Sequence, residues 1–169
     1  MKTITALLLP ILTLSTSLAL AHPDHDHSQD LPKKALAGPI SPTETAYGRQ
    51  GDPRQITRTI NLDMSDNMRL TPTDLNIKQG ETIKFVLKNA AKSPIGIALS
   101  TATELKERTA MLKQFPKMEM NQPSQVQAKP GESGELIWHF TKAGDFNFGC
   151  AAAACVSAGV TAKILVVAP

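Results

Sequence analysis

The last fifth of the chain reads ELIWHF (135–140), TKAG (141–144), DFNFGC (145–150), AAAACVSAGV (151–160) and TAKILVV (161–167). In the first segment Leu136, Trp138 and Phe140 recur with a period of two, which puts all three on one face of a strand. His139 falls between them and is turned to the other face. Lys142-Ala143-Gly144 turns the chain. Asp145 to Cys150 and Thr161 to Val167 then read as the last two strands, joined by a ten-residue loop that holds Cys155.

The same grammar continues upstream. Ile56, Ile60 and Leu62 alternate within 55–62, and Leu75 and Ile77 point inward at the end of 70–77. Lys78-Gln79-Gly80-Glu81 is a turn before a strand over 82–88 with Ile83, Phe85 and Leu87 on one face. Ile95, Ile97 and Leu99 form another alternating set, and 124–128 leads to the turn Pro130-Gly131-Glu132-Ser133-Gly134. Only 100–115 departs from this pattern. Leu105, Ala110, Leu112 and Phe115 lie nearer to helical spacing, Thr103 is the expected N-cap, and Pro116 is the stop. Short strands between turn signals, with one helix inserted, predict an all-β Greek-key sandwich over residues 53–169.

The remainder of the 169 residues is organised differently. Lys2, an apolar stretch over 6–18 and Ala19-Leu20-Ala21 make a secretory signal peptide over residues 1–21, cleaved after Ala21. No other apolar run reaches the ~20 residues a spanning helix needs, so no membrane span is expected after cleavage. The signal predicts export to the periplasm. Residues 22–52 carry Pro32, Pro39 and Pro42 and no strand or helix period, so they read as a flexible arm. A net charge of +3, with no basic run longer than Lys33-Lys34, argues against nucleic acid as a partner. One Trp and one Tyr leave no stacking platform for bases. No Ser-His-Asp, Cys-His or paired-carboxylate arrangement stands out, and no enzymatic activity is expected.

Four segments then line up with a known family: Gly80 to Phe85 (GETIKF), Asn89 to Lys92, Pro130 to Trp138 (PGESGELIW) and Thr141 to Cys150. Over residues 53–167 the chain resembles the cupredoxins, in particular the periplasmic branch linked to copper resistance. The resemblance implies a cupredoxin-like sandwich and a role in copper binding, buffering or delivery. A periplasmic copper-transport or redox protein is the implied partner. In that family a thiolate, two imidazoles and a weak axial thioether hold one copper ion. The family's closing loop is Cys-x4-His-x4-Met, and here it reads Cys150, Cys155 and Val160. Ile95 aligns with the first histidine. Three of the four ligands are thus replaced, and copper is expected without a complete type 1 site.

Three groups of residues remain as metal candidates. Cys150 and Cys155 would both face the old copper position, either as a disulfide, which an oxidising compartment favours, or as a two-thiolate site for Cu(I). His22, His25 and His27 follow the cleavage point. The free amine and imidazole of His22 would chelate Cu(II), with two more imidazoles in reach. Met118 and Met120 form an auxiliary thioether pair, while Met64 and Met68 read as packing residues. The competing readings are an electron-transfer cupredoxin and a metal-free binding module stapled by the Cys150–Cys155 disulfide.

Overall fold

The computed structural model describes residues 40–118 and 121–169. Their strands are β1 (Arg49–Gln50), β2 (Arg58–Met64), β3 (Leu70–Thr71), β4 (Asp74–Lys78), β5 (Thr82–Asn89), β6 (Ile95–Ser100), β7 (Gln125–Ala128), β8 (Ser133–His139), β9 (Gly144–Cys150) and β10 (Thr161–Val167). They form two five-stranded sheets, ordered β1-β8-β5-β2-β3 and β4-β10-β9-β6-β7. The β2–β5 and β10–β4 pairs are parallel and the rest are antiparallel. This is the predicted cupredoxin-like sandwich. The alternating residues of both inner faces make its core, with Ile83, Phe85, Leu87, Leu136, Trp138 and Phe148 among the buried set. Phe85 on β5 meets Phe148 on β9 across the layers, edge to face at 4.9 Å between ring centres.

The 70–77 segment, expected as one strand, is two. Pro72 has no N–H to give to a ladder, so β3 ends at the edge of one sheet and β4 starts the edge of the other. Helix α1 (Ala102–Gln114) fills the gap between β6 and β7. Its N-cap is Thr101, two residues before the Thr103 expected from sequence. The Thr101 hydroxyl accepts from the Glu104 N–H, and the Glu104 carboxylate accepts from the Thr101 N–H. Such a capping box satisfies two N–H groups that a lone Thr103 cap would leave open. The expected apolar stripe is also partly wrong. Leu112 is buried, but Phe115 is 54% exposed and the other buried residue of the helix is Arg108.

The folded part begins before Pro53, so the stretch read as an arm over 22–52 is too long at its C-terminal end. β1 adds to the edge of β8, with Arg49 opposite His139 and Gln50 opposite Trp138. Tyr47 is buried, its ring 5.6 Å from that of Trp138 and 5.9 Å from that of Phe146. The Trp138 indole N–H donates to the Tyr47 carbonyl at 3.1 Å. Gly48 makes the approach possible. It has φ +115°, and a Cβ there would collide with the His139 carbonyl oxygen. Residues 1–39 lie outside the described residues.

Candidate metal centre

β9 delivers Cys150 to the end of the second sheet. Its neighbour β6 pairs Ile97 with Cys150, and the Ala151 N–H donates to the Gly96 carbonyl at 2.7 Å, extending the ladder by one residue. Strand alternation then sets Ile95 on the same face as Ile97. The connecting loop is not wholly irregular as expected. A single turn, α2 (Ala153–Val156), folds Cys155 back under the end of β9. Cys150 and Cys155 are joined in a disulfide with a Cα separation of 5.7 Å, and they are 4% and 0% exposed. The Ala152 N–H donates to Cys150 Sγ at 3.4 Å, and Cys155 Sγ lies 3.5 Å from the Gly96 carbonyl oxygen. Val160 and Ile95 are buried in the same core cluster.

A type 1 copper ion does not fit this arrangement. Both sulfurs are spent on each other, so neither is a thiolate. Ile95 and Val160 offer only hydrocarbon, where a copper ion needs nitrogen or sulfur. Among the described residues no group of three His, Cys, Asp or Glu side chains stands close enough to hold a metal. His139, the one histidine in the sandwich, is tied up elsewhere. Its Nδ1 lies 3.0 Å from Thr82 Oγ1, beside β1, on the face away from Trp138.

The disulfide closes a loop with a sequence separation of 5. On the chain-entropy account such a short loop contributes about 2 kcal/mol to stability. Reduction should therefore lower the urea midpoint by that equivalent, measured with and without a thiol reductant. Because both sulfurs are buried, reduction should be slow in the native protein and fast near the unfolding midpoint. Equal midpoints for the reduced and oxidised chains would contradict this.

The other candidates are not brought to this place. His22, His25 and His27 lie outside the described residues, as does Met120. Met118 is exposed just beyond α1, where it shares a shallow apolar depression with Met111 and Phe115. Met64 is fully buried and Met68 packs against the core, as expected of packing residues. The sequence reading missed Tyr47 and Arg108. Tyr47 was legible in part: a lone tyrosine before Gly48 marks a chain that turns close to something apolar. Arg108 carried no such signal, since a charge on a helix is ordinarily solvated.

No family model matches the chain. It is 35% identical over 160 residues to the copper-resistant cuproprotein CopI of Rubrivivax gelatinosus, covering 94% of both chains. The CopI proteins of Vibrio cholerae and Pseudomonas aeruginosa are 26% and 27% identical, covering 94% and 72% of this chain and 96% and 82% of theirs. Among solved structures, auracyanin A, a "blue" copper protein of Chloroflexus aurantiacus, superposes with a TM-score of 0.54 at 18% identity, over 64% of this chain and 98% of that one. The reduced auracyanin of Roseiflexus castenholzii gives 0.53 at 18%, over 66% and 98%. At such identities the likeness shows the fold alone.

Proposed function

This chain belongs to the family of the copper-resistant cuproproteins CopI, and from that premise we propose that it handles copper as a cargo rather than as a fixed electron-transfer centre. The observation that carries this is the closing loop, where the two sulfurs are joined and the flanking positions are Ile95 and Val160. A copper-handling chain that lacks the core site must hold the ion elsewhere. The His22–His27 tract supplies the donors. After cleavage behind Ala21, the terminal amine and imidazole of His22 chelate Cu(II), with His25 and His27 completing the set. Pro23 has no amide proton, which rules out a site built on a deprotonated second amide.

The cysteine pair adds a second, redox-dependent mode. An external dithiol opens the disulfide, taking up the bond as its own disulfide and leaving Cys150 and Cys155 as two thiols. Cu(I) then displaces two protons and binds both thiolates. The working place of the protein is the periplasm, and its role is buffering or delivery of copper. No catalytic step is assigned.

The test is copper uptake by the exported, processed protein, followed by native mass spectrometry with and without a thiol reductant. The oxidised protein should take up Cu(II) without an intense visible band, and deletion of residues 22–30 should abolish that uptake. Reduction should restore Cu(I) binding to the deletion variant. Unchanged uptake by the oxidised deletion variant would reject the arm as the site. The buried disulfide also favours a second reading, a metal-free binding module. An intact protein that takes up no copper in either redox state would establish that reading.

A further inference from the structure

Arg108 is 6% exposed, on the inward side of α1 beside Leu112. Its Nη2 donates to Gln122 Oε1 at 2.8 Å, but its Nη1 is buried with no hydrogen-bond partner. Among the described residues no carboxylate forms an ion pair with it. Glu104, one turn earlier, has its Oε2 held by the Thr101 N–H at 2.8 Å. A guanidinium taken out of water is costly unless its charge and its N–H groups are met, and a neutral amide oxygen meets only part of that. Burial accordingly holds the Arg108 pKa below its ordinary value.

Arg108 borders a cavity of about 430 Å³ between α1 and residues 43–47. The walls are of two kinds. Trp138, Met111 and Pro123 are apolar, while Arg108 and the hydroxyls of Tyr47 and Ser124 are polar. The Tyr47 hydroxyl donates to Ser124 Oγ at 3.4 Å, which leaves the Ser124 proton free to donate in turn. Glu104 and Glu107 also border the cavity. Their charge disfavours a multiply charged anion such as phosphate, and leaves room for one negative charge directly on Arg108.

We propose that this cavity binds a small monocarboxylate with an apolar body, its carboxylate on the Arg108 guanidinium and Ser124 hydroxyl and its hydrocarbon against Trp138 and Met111. The pairing is a charge-assisted hydrogen bond between a guanidinium and a carboxylate, about twice as strong as a neutral one. A pocket that is mostly apolar with a few convergent polar groups is the usual form of a small-ligand site. This inference is independent of the copper reading.

Trp138, the sole tryptophan, borders the cavity and provides the readout. The full processed protein is titrated with sodium butyrate, with inorganic phosphate, and with chloride at matched ionic strength. Butyrate should change the Trp138 emission saturably, and neither phosphate nor chloride should. Arg108→Gln should weaken butyrate binding at least about tenfold, as expected when a charge-assisted hydrogen bond is lost. Glu107→Gln, which removes a like charge, should tighten it. If Arg108→Gln does not fold, Arg108→Lys takes its place, since an ammonium keeps the charge but not the planar fork. A butyrate response no different from that of chloride overturns the proposal. So does saturable binding that survives unchanged in the Arg108 variant.

Discussion

Ile95→His, Cys155→His and Val160→Met, introduced together, should turn a colourless protein into one that develops an intense visible thiolate-to-copper band on addition of Cu(II). Each change has its own reason. Replacing Cys155 releases Cys150 from the disulfide and leaves it as a thiolate donor. Ile95 lies one strand over, two residues from the Ile97 that pairs with Cys150. Val160 is buried just before β10, in the same cluster. Thiolate, two imidazoles and an axial thioether on a rigid sandwich are what such a copper site requires. The metal-free variant should be less stable by roughly 3–5 kcal/mol: about 2 from the lost disulfide and about 1–3 for buried imidazoles without partners. Copper should recover much of that, because a ligand that binds only the folded chain stabilises it. The checks are Cu(II)-titrated absorbance and thermal melting of the same samples. A folded variant that binds copper without the band would mean that the loop through α2 does not present these positions to Cys150.

Phe148→Ala should cost about 3–5 kcal/mol, the range for removing a fully buried aromatic ring. Phe148 is fully buried, it is the β9 residue that meets Phe85 of the opposite sheet, and it lies beside Ala162, whose small side chain leaves it room. No neighbouring side chain can close the space, because the two backbones that frame it are held by ladders on either side. Against a total stability of about 5–15 kcal/mol this is a large fraction. Urea denaturation should show the loss as a lower midpoint with an unchanged slope. Leu165→Ala, on the outward face of β10, serves as the contrast and should stay within about 0.5 kcal/mol. A loss below 1 kcal/mol at Phe148 would mean that the two sheets can slide together.

How much of this was legible follows the range of the forces involved. The alternation of Leu136, Trp138 and Phe140, and of Ile83, Phe85 and Leu87, identified inward faces correctly because a strand's side chains must alternate whatever it pairs with. The Thr101 cap was missed in favour of Thr103 because a cap is chosen by reciprocity with Glu104, and a single threonine does not show that. Tyr47 was placed in the arm because its burial depends on the Trp138 edge, more than ninety residues away in sequence. Of the candidate site, the resemblance to the cupredoxins implied which ligand positions are altered: Cys155 and Val160 in the loop, Ile95 on a strand earlier in the chain. It left the two cysteines open between a disulfide and a thiolate pair.

By itself, then, the sequence determined the sandwich and its inserted helix, and its resemblance to the cupredoxins implied that the type 1 ligand set is incomplete. The first two rest on local periodicity, which no packing can change. Only the tertiary structure decided that Cys150 and Cys155 are bonded, that folded residues extend before Pro53, and that Arg108 is enclosed with no carboxylate paired to it among the described residues. Each depends on groups far apart in the chain being brought within a few ångströms. A disulfide needs α2 to turn Cys155 back beneath β9. An edge strand needs β8 to leave its outer hydrogen-bonding groups unpaired. A buried charge needs Tyr47 and Gln122, from before and after the helix in sequence, brought close to Arg108. Periodicity carries no information about such meetings, because it records only which way a side chain points and not what waits there.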